Sequence, residues 1–566
     1  MNSPAQSLAA RVSGEELMRH CREFAKRVKL SGTAEELKSF RYLKRCLTGL
    51  GYRTQLLSHD AYISLPGPSK VEADGKVIKS ITHSFSRPSP RGGLKGELVD
   101  VGEGSAASFA RKDCRGKIVL VDGIASPAVA ARAKAAGAAG ELHVSPHEHL
   151  HEMCISPVWG SPSDETLAHM PSTVACTIAA ADGKALRAAL KRKKKIEVTL
   201  HAKVDTGWRK TPILVAEMDG PARKDGPFVM LSGHHDTWHF GVMDNGSANA
   251  TMLEAARLLA ERRADWRRGL RLCFWSGHSH GRYSGSTWYV DHHFEDLDRR
   301  CVAHVNVDST GGIGATVLGD NGVVAELVGL AKEATRAEAK QAHLGTRPSR
   351  SSDQSFWGVG IPSMYGSISH QPPSQVKMLV ALGWWWHTPH DLIDKIDEKF
   401  LERDTRVVVH TLWRLLTDPI VPLDYSAQAA ALLGELTKLA PRLKNGVALG
   451  DVVKAARTLK AKASSIAALK GVNDQARLDK VNSALMDVSR LLVPLDYTQG
   501  DRFTHDAALP QSAWPTLDKL RALASAKPNS DEARFLAVSA RRARNRILHG
   551  LRQATEALDR ALAGIG

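Results

Sequence analysis

The sequence predicts an α/β fold in which an open, mostly parallel sheet carries helices on both faces. Three apolar runs, "FVMLSG", "LRLCFWSG" and "AHVNVDS", are typical of buried strands, and the amphipathic stretch "ANATMLEAARLLAERR" separates the first two. Uniformly apolar strands that alternate with amphipathic helices indicate a parallel sheet covered on both sides. Because ligands of such sheets bind beyond the carboxyl ends of the strands, the polar residues after each run are candidates for a functional site.

The rest of the chain adds two further domains to this α/β core. Two helical patterns open the sequence, and short strand-like runs with glycine turns follow them. Helical periodicity then dominates the last quarter, where the pentapeptide "VPLDY" follows a predicted helix at both 421–425 and 493–497, which indicates either a weak internal duplication or two similar chain turns. The predicted parts are N-terminal helices of the catalytic domain (1–55), an inserted β-rich domain (56–205), the α/β catalytic domain (206–420) and a helical domain (421–566).

Charge does not make this a nucleic-acid-binding protein, although the net charge is +17. The basic residues are scattered, and the dense run "KRKKK" at 191–195 is typical of a solvated helix end. The sequence contains no helix-turn-helix, zinc-finger or RNA-recognition signature. We therefore expect no nucleic-acid partner.

The cysteine content and the apolar runs predict a cytoplasmic protein. Seven cysteines, an odd number without a Cys-x-x-Cys pair, indicate reduced thiols. The first twenty residues lack the apolar core of a secretory signal. No run approaches the roughly 20 apolar residues that span a bilayer, so we expect no membrane partner.

Side chains that bind metals cluster at the predicted strand ends. His234 and Asp236 follow the first run, Asp244 lies in a glycine-rich loop, Asp308 ends the third run, and His387 precedes a late helix. Asp236 is either a ligand or the carboxylate that orients one. Imidazole and carboxylate ligands suit zinc, with manganese, iron or cobalt as alternatives. Two ions bridged by one carboxylate would hold both the attacking and the leaving oxygen of a hydrolysis.

The order "GHHDTW…MDNGSAN…HVNVDST…WWHTPHDLIDKID" resembles the co-catalytic zinc exopeptidase family, which contains aminopeptidases, glutamate carboxypeptidase and the transferrin receptor. The resemblance implies one or two zinc ions, with His234, Asp308 and His387 as ligands and Asp244 as the bridge. It implies that Asp236 supports His234. It also implies a protease-associated domain at 56–205 and a homodimer formed through the helical domain.

One motif departs from the family. Where the family has a Glu general base followed by a Glu ligand, this sequence reads "SGHSHG", so counting back from Gly285 and Ser286 places Ser279 at the base and His280 at the ligand. We therefore expect His280 to bind metal. A proton acceptor would have to come from His278, His280 or His235. With one anionic ligand fewer, the site holds either one ion or two.

The remaining candidates concern substrate. Trp386, beside a ligand, is either a core aromatic or a pocket wall that favours an apolar group. Tyr283 is a candidate hydrogen-bond donor to an oxyanion. Together with Trp386, the predicted substrate contacts are His235, Arg350, Asp353 and His390, and the predicted catalytic residues are Asp236, His278, Ser279 and Tyr283.

The sequence leaves three alternatives for the function. One is a metal-dependent hydrolase of an amide or peptide bond in a small molecule or short peptide, with acid–base work transferred to histidine. Another is a catalytically inactive, peptidase-like binding protein. A lyase-type reaction on the same scaffold is a third alternative.

Overall fold

The computed structural model describes residues 3–193, 195–372, 381–443, 446–469 and 471–563, so one residue of the basic run 191–195 lies outside it. In chain order, the strands are β1 (Arg53–Ala73), β2 (Lys76–Lys79), β3 (Ile81–Thr82), β4 (Leu94–Asp100), β5 (Ile118–Asp122), β6 (Gly140–Val144), β7 (Val174–Ile178), β8 (Glu197–Met218), β9 (Phe228–His234), β10 (Gly269–Trp275), β11 (Cys301–Asp308) and β12 (Ser363–Ser367).

Helices precede, flank and follow these strands. They are α1 (Pro4–Ala9), α2 (Gly14–Phe24), α3 (Ala34–Gly49), α4 (Ala106–Ala110), α5 (Pro127–Ala135), α6 (Ala180–Lys193), α7 (Ala248–Ala260), α8 (Ser284–His292), α9 (Phe294–Arg300), α10 (Val328–Ala339), α11 (Glu398–Thr417), α12 (Tyr425–Leu439), α13 (Gly450–Ser465), α14 (Gln475–Tyr497), α15 (Asp518–Ser525) and α16 (Asp531–Leu562).

The predicted fold class is confirmed. β12, β11, β9 and β10 are parallel neighbours in that order, and β8 closes this half of the sheet as an antiparallel strand. Through β8 the sheet continues into β4, β5, β6 and β7, and these four strands form a second parallel set. All residues of β9, β10 and β11 are buried, as expected for strands covered on both faces.

Each face of the central sheet belongs to a different apolar core. Alternate residues of β9 point to opposite faces. Val229 and Leu231 pack with the N-terminal helices, α7 and α11, whereas Phe228 and Met230 pack with α8 and α9. Helices cover the sheet on both sides because its strands are apolar on both sides.

Local capping sets where the first long helices begin. The side chains of Ser13 and Thr33 accept hydrogen bonds from the main-chain N–H groups of Glu16 and Glu36, at the starts of α2 and α3. Such caps satisfy N–H groups that have no partner inside the helix. The chain between these two helices, which includes Lys29 and Ser31, passes beneath the functional site described below.

A long two-stranded ribbon joins the two halves of the sheet. β1 and β8 pair antiparallel from Arg53–Glu217 at one end to Ala73–Val198 at the other, with one irregularity between Pro66 and Ser69. The predicted domain boundaries at 55/56 and 205/206 fall inside these strands. Neither boundary coincides with an end of the ribbon, so the structure does not separate the chain at these points. The division into domains stays a prediction.

Helices form the C-terminal region, as its periodicity predicts, but the two "VPLDY" segments differ. The first precedes α12 in an irregular stretch, whereas the second is the final turn of α14, with Pro494 inside the helix. The interpretation as two similar chain turns is wrong, because the two copies differ in conformation, while the weak internal duplication stays a prediction. In the described part of the chain, no helix combines the length and apolar character required to cross a bilayer.

Candidate metal centre

The predicted ligands come together at the carboxyl ends of the central strands. His234 ends β9, Asp308 ends β11, and Asp244 lies in the turn 242–247 that leads into α7. His387 approaches from the segment before α11 with a left-handed backbone (φ 56°). This edge of the sheet is where a parallel fold places its ligands.

Asp244 lies between two imidazoles. Its Oδ1 is 3.0 Å from His234 Nε2, and its Oδ2 is 3.0 Å from His387 Nε2. A second carboxylate approaches the same nitrogen of His234, since Asp308 Oδ1 lies 3.7 Å from His234 Nε2. Burial opposes the charge on Asp244, whereas the two imidazoles in their protonated form hold the pKa of this carboxyl well below its usual range. The arrangement is that of a carboxylate shared between two ligand histidines.

The outer nitrogens of both histidines are already committed. His234 Nδ1–H donates to the main-chain carbonyl of Asp236 (2.8 Å), and His387 Nδ1–H donates to the carbonyl of Glu152 (2.7 Å). A neutral imidazole carries one proton, so each Nε2 then presents a lone pair to Asp244. His234 Nε2 and Asp244 Oδ1 are both buried and make no hydrogen bond within the described residues despite their proximity. Lone pairs and carboxylate oxygens that converge in this way fit a metal cation.

Two further carboxylates hold the loops of the site. Asp236 accepts hydrogen bonds from Ser31 Oγ (2.6 Å) and from the main-chain N–H groups of His278 (3.2 Å) and Ser279 (2.9 Å). Asp391 accepts from the main-chain N–H of Asp244 (3.0 Å) and of its predecessor, Met243. Burial raises the pKa of Asp391 to about 7. Asp391 was not among the residues predicted from the sequence, although it directly follows His390 in the ligand motif.

Asp353 does not face a substrate pocket, contrary to its predicted role. Its buried carboxylate accepts a hydrogen bond from His278 Nδ1–H (2.8 Å) and one from Ser286 Oγ (2.8 Å). Burial opposes its ionisation, but the neighbouring His278 lowers the pKa of this carboxyl. The His278 ring stacks on His234 with centroids 3.7 Å apart, so Asp353 orients a histidine of the site.

His280, expected as a ligand, is displaced from the group by His278. Among the described residues, the one set of three ligand-type side chains with ligand atoms mutually within 4.8 Å is His234, His278 and Asp308. His280 instead places Nδ1 3.0 Å from Ser31 Oγ and packs its ring on Trp238. Burial lowers the pKa of His280 to about 4. Counting back from Gly285 and Ser286 places His280 at the ligand position only if the loop before α8 has the same length and path as in the family.

The loop geometry explains that displacement. Arg282 and Tyr283, just before α8, both have left-handed backbones (φ 49° and 70°), so the chain turns twice between the histidines and the helix. Ser279 donates its N–H to Asp236, and its buried hydroxyl makes no hydrogen bond among the described residues. Its predicted catalytic role stays untested.

His235 points away from the site. Its Nδ1 lies 3.0 Å from Asn249 Oδ1, and its ring packs edge-on against Phe24 and Phe40 in the core. Successive residues of an extended segment face opposite sides, so a neighbour of the ligand His234 enters the helix-covered face. The prediction that His235 contacts substrate or accepts a proton from water is therefore corrected.

Arg350 connects the catalytic domain to the C-terminal region rather than to a ligand pocket. Its guanidinium donates to the main-chain carbonyls of Asp506 (2.5 Å) and Ala507 (2.9 Å) and lies 4.2 Å above the Trp159 ring. Burial lowers the pKa of Arg350 to about 10. These acceptors come from a segment more than 150 residues away that the sequence does not show to be adjacent, and the substrate contact of Arg350 stays a prediction.

Tyr283 lies beside the site histidines. Its ring packs edge-on against His278 with centroids 4.9 Å apart and is tilted against Trp159. Burial raises the pKa of its hydroxyl, which keeps the proton available for donation. Its role as an oxyanion donor stays a prediction.

A loop of the inserted region forms part of the centre. Besides accepting from His387, Glu152 donates its main-chain N–H to the His387 carbonyl (3.1 Å). His151 Nδ1–H donates to the Trp386 carbonyl (2.5 Å), and Trp386 stacks on His387 with centroids 3.6 Å apart. His151 and Glu152 were not predicted from the sequence, although both lie in the His-rich run "HEHLHEM".

An exposed aromatic group lies on the outer side of this loop. Trp384 stacks on His149 with centroids 4.2 Å apart, and His390 lies 5.4 Å from the same tryptophan. Trp386, by contrast, is buried. The predicted substrate contacts of Trp386 and His390 are therefore in different surroundings, and both stay predictions.

Comparison with known proteins agrees with this geometry. Residues 214–412 match the model of peptidase family M28. The chain is similar to a probable glutamate carboxypeptidase of Zea mays, VP8 (26% identical; 39% of this chain, 33% of that protein). It is also similar to the aminopeptidase NAALADL1 of Mus musculus (24% identical; 60% of this chain, 50% of that protein). The matches thus span a third to a half of these relatives' length.

Solved structures show the same fold. A zinc aminopeptidase from Bacillus subtilis superposes with a TM-score of 0.55 at 22% identity, over 72% of this chain and 96% of that one. At that identity the likeness concerns the fold, while the family match concerns the segment that contains every ligand candidate named above. Residues 214–412 therefore resemble peptidase family M28, in agreement with the co-catalytic zinc exopeptidase family that the sequence motifs resemble.

Proposed function

We propose that this protein is a metal-dependent hydrolase of an amide or peptide bond in a small molecule or short peptide. The observation that carries the proposal is Asp244, whose two carboxylate oxygens each face an imidazole nitrogen at 3.0 Å. Both imidazoles have donated their other N–H to a carbonyl, so the three side chains present acceptors to one another. A bound cation would stabilise such a set of converging acceptors.

Zinc would be held by His234, Asp244, Asp308 and His387, and there it would act as a Lewis acid toward the scissile carbonyl and the attacking water. The protein supplies the orientation. Carbonyls of Asp236 and Glu152 fix the two ligand histidines, and Asp391 fixes the main chain of Asp244.

Aromatic side chains would keep water from the ligands. Trp386 stacks on His387, and Trp238 packs against the same imidazole with centroids 5.2 Å apart. An apolar wall beside the ligands favours a substrate with an apolar or aromatic group next to the cleaved bond. This supports a small substrate with such a group over a strongly acidic one.

The experiment is metal analysis combined with a substrate screen. The purified protein should contain zinc, and it should cleave aminoacyl amides, dipeptides or N-acyl amino acids in a chelator-sensitive, zinc-restored manner. Asp244→Asn, which keeps the side-chain shape but not the charge, should lose both metal and activity. His390→Ala, on the exposed aromatic group, should retain the metal.

A non-catalytic binding protein is the second candidate, because the motif "SGHSHG" contains neither acid of the family's Glu pair. A protein that holds no metal after purification and cleaves nothing after zinc is added would favour that alternative.

A further inference from the structure

We propose that His278 is a metal ligand, and that the centre completes one ion site, formed with His234 and Asp308, rather than two. The proposal rests on the proposed function only in requiring that the protein binds metal. It assigns a role to His278, which directly precedes the two positions where the family has its Glu pair.

Proximity is the first argument. Ligand atoms of His234, His278 and Asp308 lie within 4.8 Å of one another, and His234 Nε2 is 3.7 Å from Asp308 Oδ1. Around a tetrahedral zinc with ligands at about 2.0–2.2 Å, ligand atoms are roughly 3.4 Å apart. Small side-chain shifts therefore bring this set onto one ion. Asp244, 3.0 Å from His234 Nε2, is placed to complete it.

Orientation is the second argument. His278 Nδ1–H is held by the buried carboxylate of Asp353, which Ser286 Oγ holds in turn. Its Nε2 therefore carries the lone pair. A histidine that donates one N–H to a carboxylate while the other nitrogen faces a metal is a recurrent pattern of ligand histidines. His234 and His387, bound to main-chain carbonyls, share it.

Ligand supply is the third argument. The position between Asp244 and His387 has these two side chains, but among the described residues no third His, Cys, Asp or Glu joins them in a comparably tight group. Neither residue at the positions of the lost glutamates joins such a group, since Ser279 carries no carboxylate and the His280 ring packs on Trp238 with Nδ1 3.0 Å from Ser31 Oγ. A second ion would therefore bind weakly.

The test measures metal rather than turnover. Zinc is quantified by mass spectrometry after dialysis, and its affinity is measured by competition with a chromophoric chelator, for the parent protein and for His278→Ala, Asp353→Asn and His280→Ala. We expect one tightly bound zinc in the parent. Asp353→Asn, a positioning variant, should weaken zinc binding by about 10–100-fold. His278→Ala should weaken it further, whereas the matched control His280→Ala should retain it.

A direct spectroscopic readout accompanies affinity. The visible absorption of the Co²⁺-loaded parent should change in His278→Ala and in the volume-conserving His278→Gln, which also serves if the alanine variant fails to fold. Two zinc ions of similar affinity in the parent overturn the single-ion site. Unchanged zinc affinity in both His278 variants, or loss of zinc in His280→Ala, overturns the assignment of His278.

These outcomes are independent of hydrolysis. Zinc binding that follows the expected order without cleavage of any substrate would contradict the proposed function but support His278 as a ligand. Zinc-dependent cleavage by a parent whose His278 variants keep their metal would do the opposite, and would indicate that His278 acts on substrate or water.

Discussion

Asp391 shows how a single buried residue outside the ligand set controls the centre. Its two oxygens accept the N–H groups of Met243 and Asp244 and so fix the turn that carries the shared carboxylate. Asp391→Ala leaves both donors without a partner and frees this turn. We expect zinc affinity to fall by about 10–100-fold, measured by chelator competition. Asp394→Asn, an exposed neighbour paired with Lys395, is the control and should bind zinc like the parent.

Glu326 predicts a pH dependence of stability that is unrelated to metal. Its side chain is buried, both oxygens lack hydrogen bonds within the described residues, and burial raises its pKa from 4.5 to about 8. Between these values the unfolded chain has released the proton while the folded chain keeps it. Stability therefore falls as pH rises through this window, by up to about 1.4 kcal/mol per pH unit.

Glu326→Gln removes the titrating group and tests this directly. At pH 8 the free energy of unfolding should exceed that of the parent by about 1–3 kcal/mol, and at pH 5 the two should agree. Denaturant unfolding at both pH values measures the difference. Glu165→Gln, at an exposed position, should show no such pH dependence. Equal stability of Glu326→Gln and the parent at pH 8 would contradict the expectation.

Residue patterns predict ligands better than they predict their partners. The candidate ligands His234, Asp244, Asp308 and His387 could be named because each follows an apolar run or occurs in a recognisable motif, and the structure brings them together. Asp353 is a different case, since its contact with His278 joins residues 75 positions apart and depends on the packing of two loops. Local sequence spacing carries no information about such a contact, so its orienting role was not predicted.

At the scale of elements, the loop of residues 147–152 makes the inserted region part of the metal centre. Its His151 satisfies the Trp386 carbonyl next to the ligand His387. In His151→Ala this buried carbonyl loses its donor, which costs about 1–3 kcal/mol. Because His387 faces the shared carboxylate of Asp244 at 3.0 Å, we expect lower thermal stability and faster release of zinc to a chelator.

His149→Ala is the matched control from the same loop. His149 is partly exposed and stacks on Trp384 outside the site, so its loss should leave zinc release unchanged. Equal rates of zinc release from the His151 and His149 variants would mean that the loop does not support His387.

Element conformation also marks where sequence reasoning ends. The strands β9, β10 and β11 were predictable because their apolar character is uniform, and α7 because its apolar residues repeat at helical spacing. The two "VPLDY" copies were not, since the second lies at the end of α14 even though it contains Pro494. Packing of α14 against α16 decides that conformation, and packing is not a local property.

Two predictions concern the whole molecule, namely its oligomeric state and its behaviour toward DNA. Dimerisation through residues 421–566 stays a prediction, which light scattering of the purified protein tests by its mass. The second prediction follows from the positive net charge. With a net charge of +17, any binding to DNA should be non-specific and should vanish steeply as salt is raised.

The continuous ribbon of β1 and β8 predicts that the inserted region and the catalytic domain unfold together. Since both strands run unbroken through the two halves of the sheet, separating the halves would break ladder pairs in the middle of each strand. Zinc bound at the centre should therefore stabilise the inserted region as well. A free zinc concentration of 100 times Kd contributes about 2.7 kcal/mol.

Hydrogen exchange measures this coupling. Zinc should slow exchange in β5 and β6, which lie in the inserted region and contain no ligand candidate, and calorimetry should show one transition that moves to higher temperature. In Asp244→Asn, added zinc should neither slow exchange in β5 and β6 nor move the transition to higher temperature. Two transitions, of which zinc shifts only one, would mean that the ribbon transmits no stability between the halves, and that the His387 loop contact acts locally.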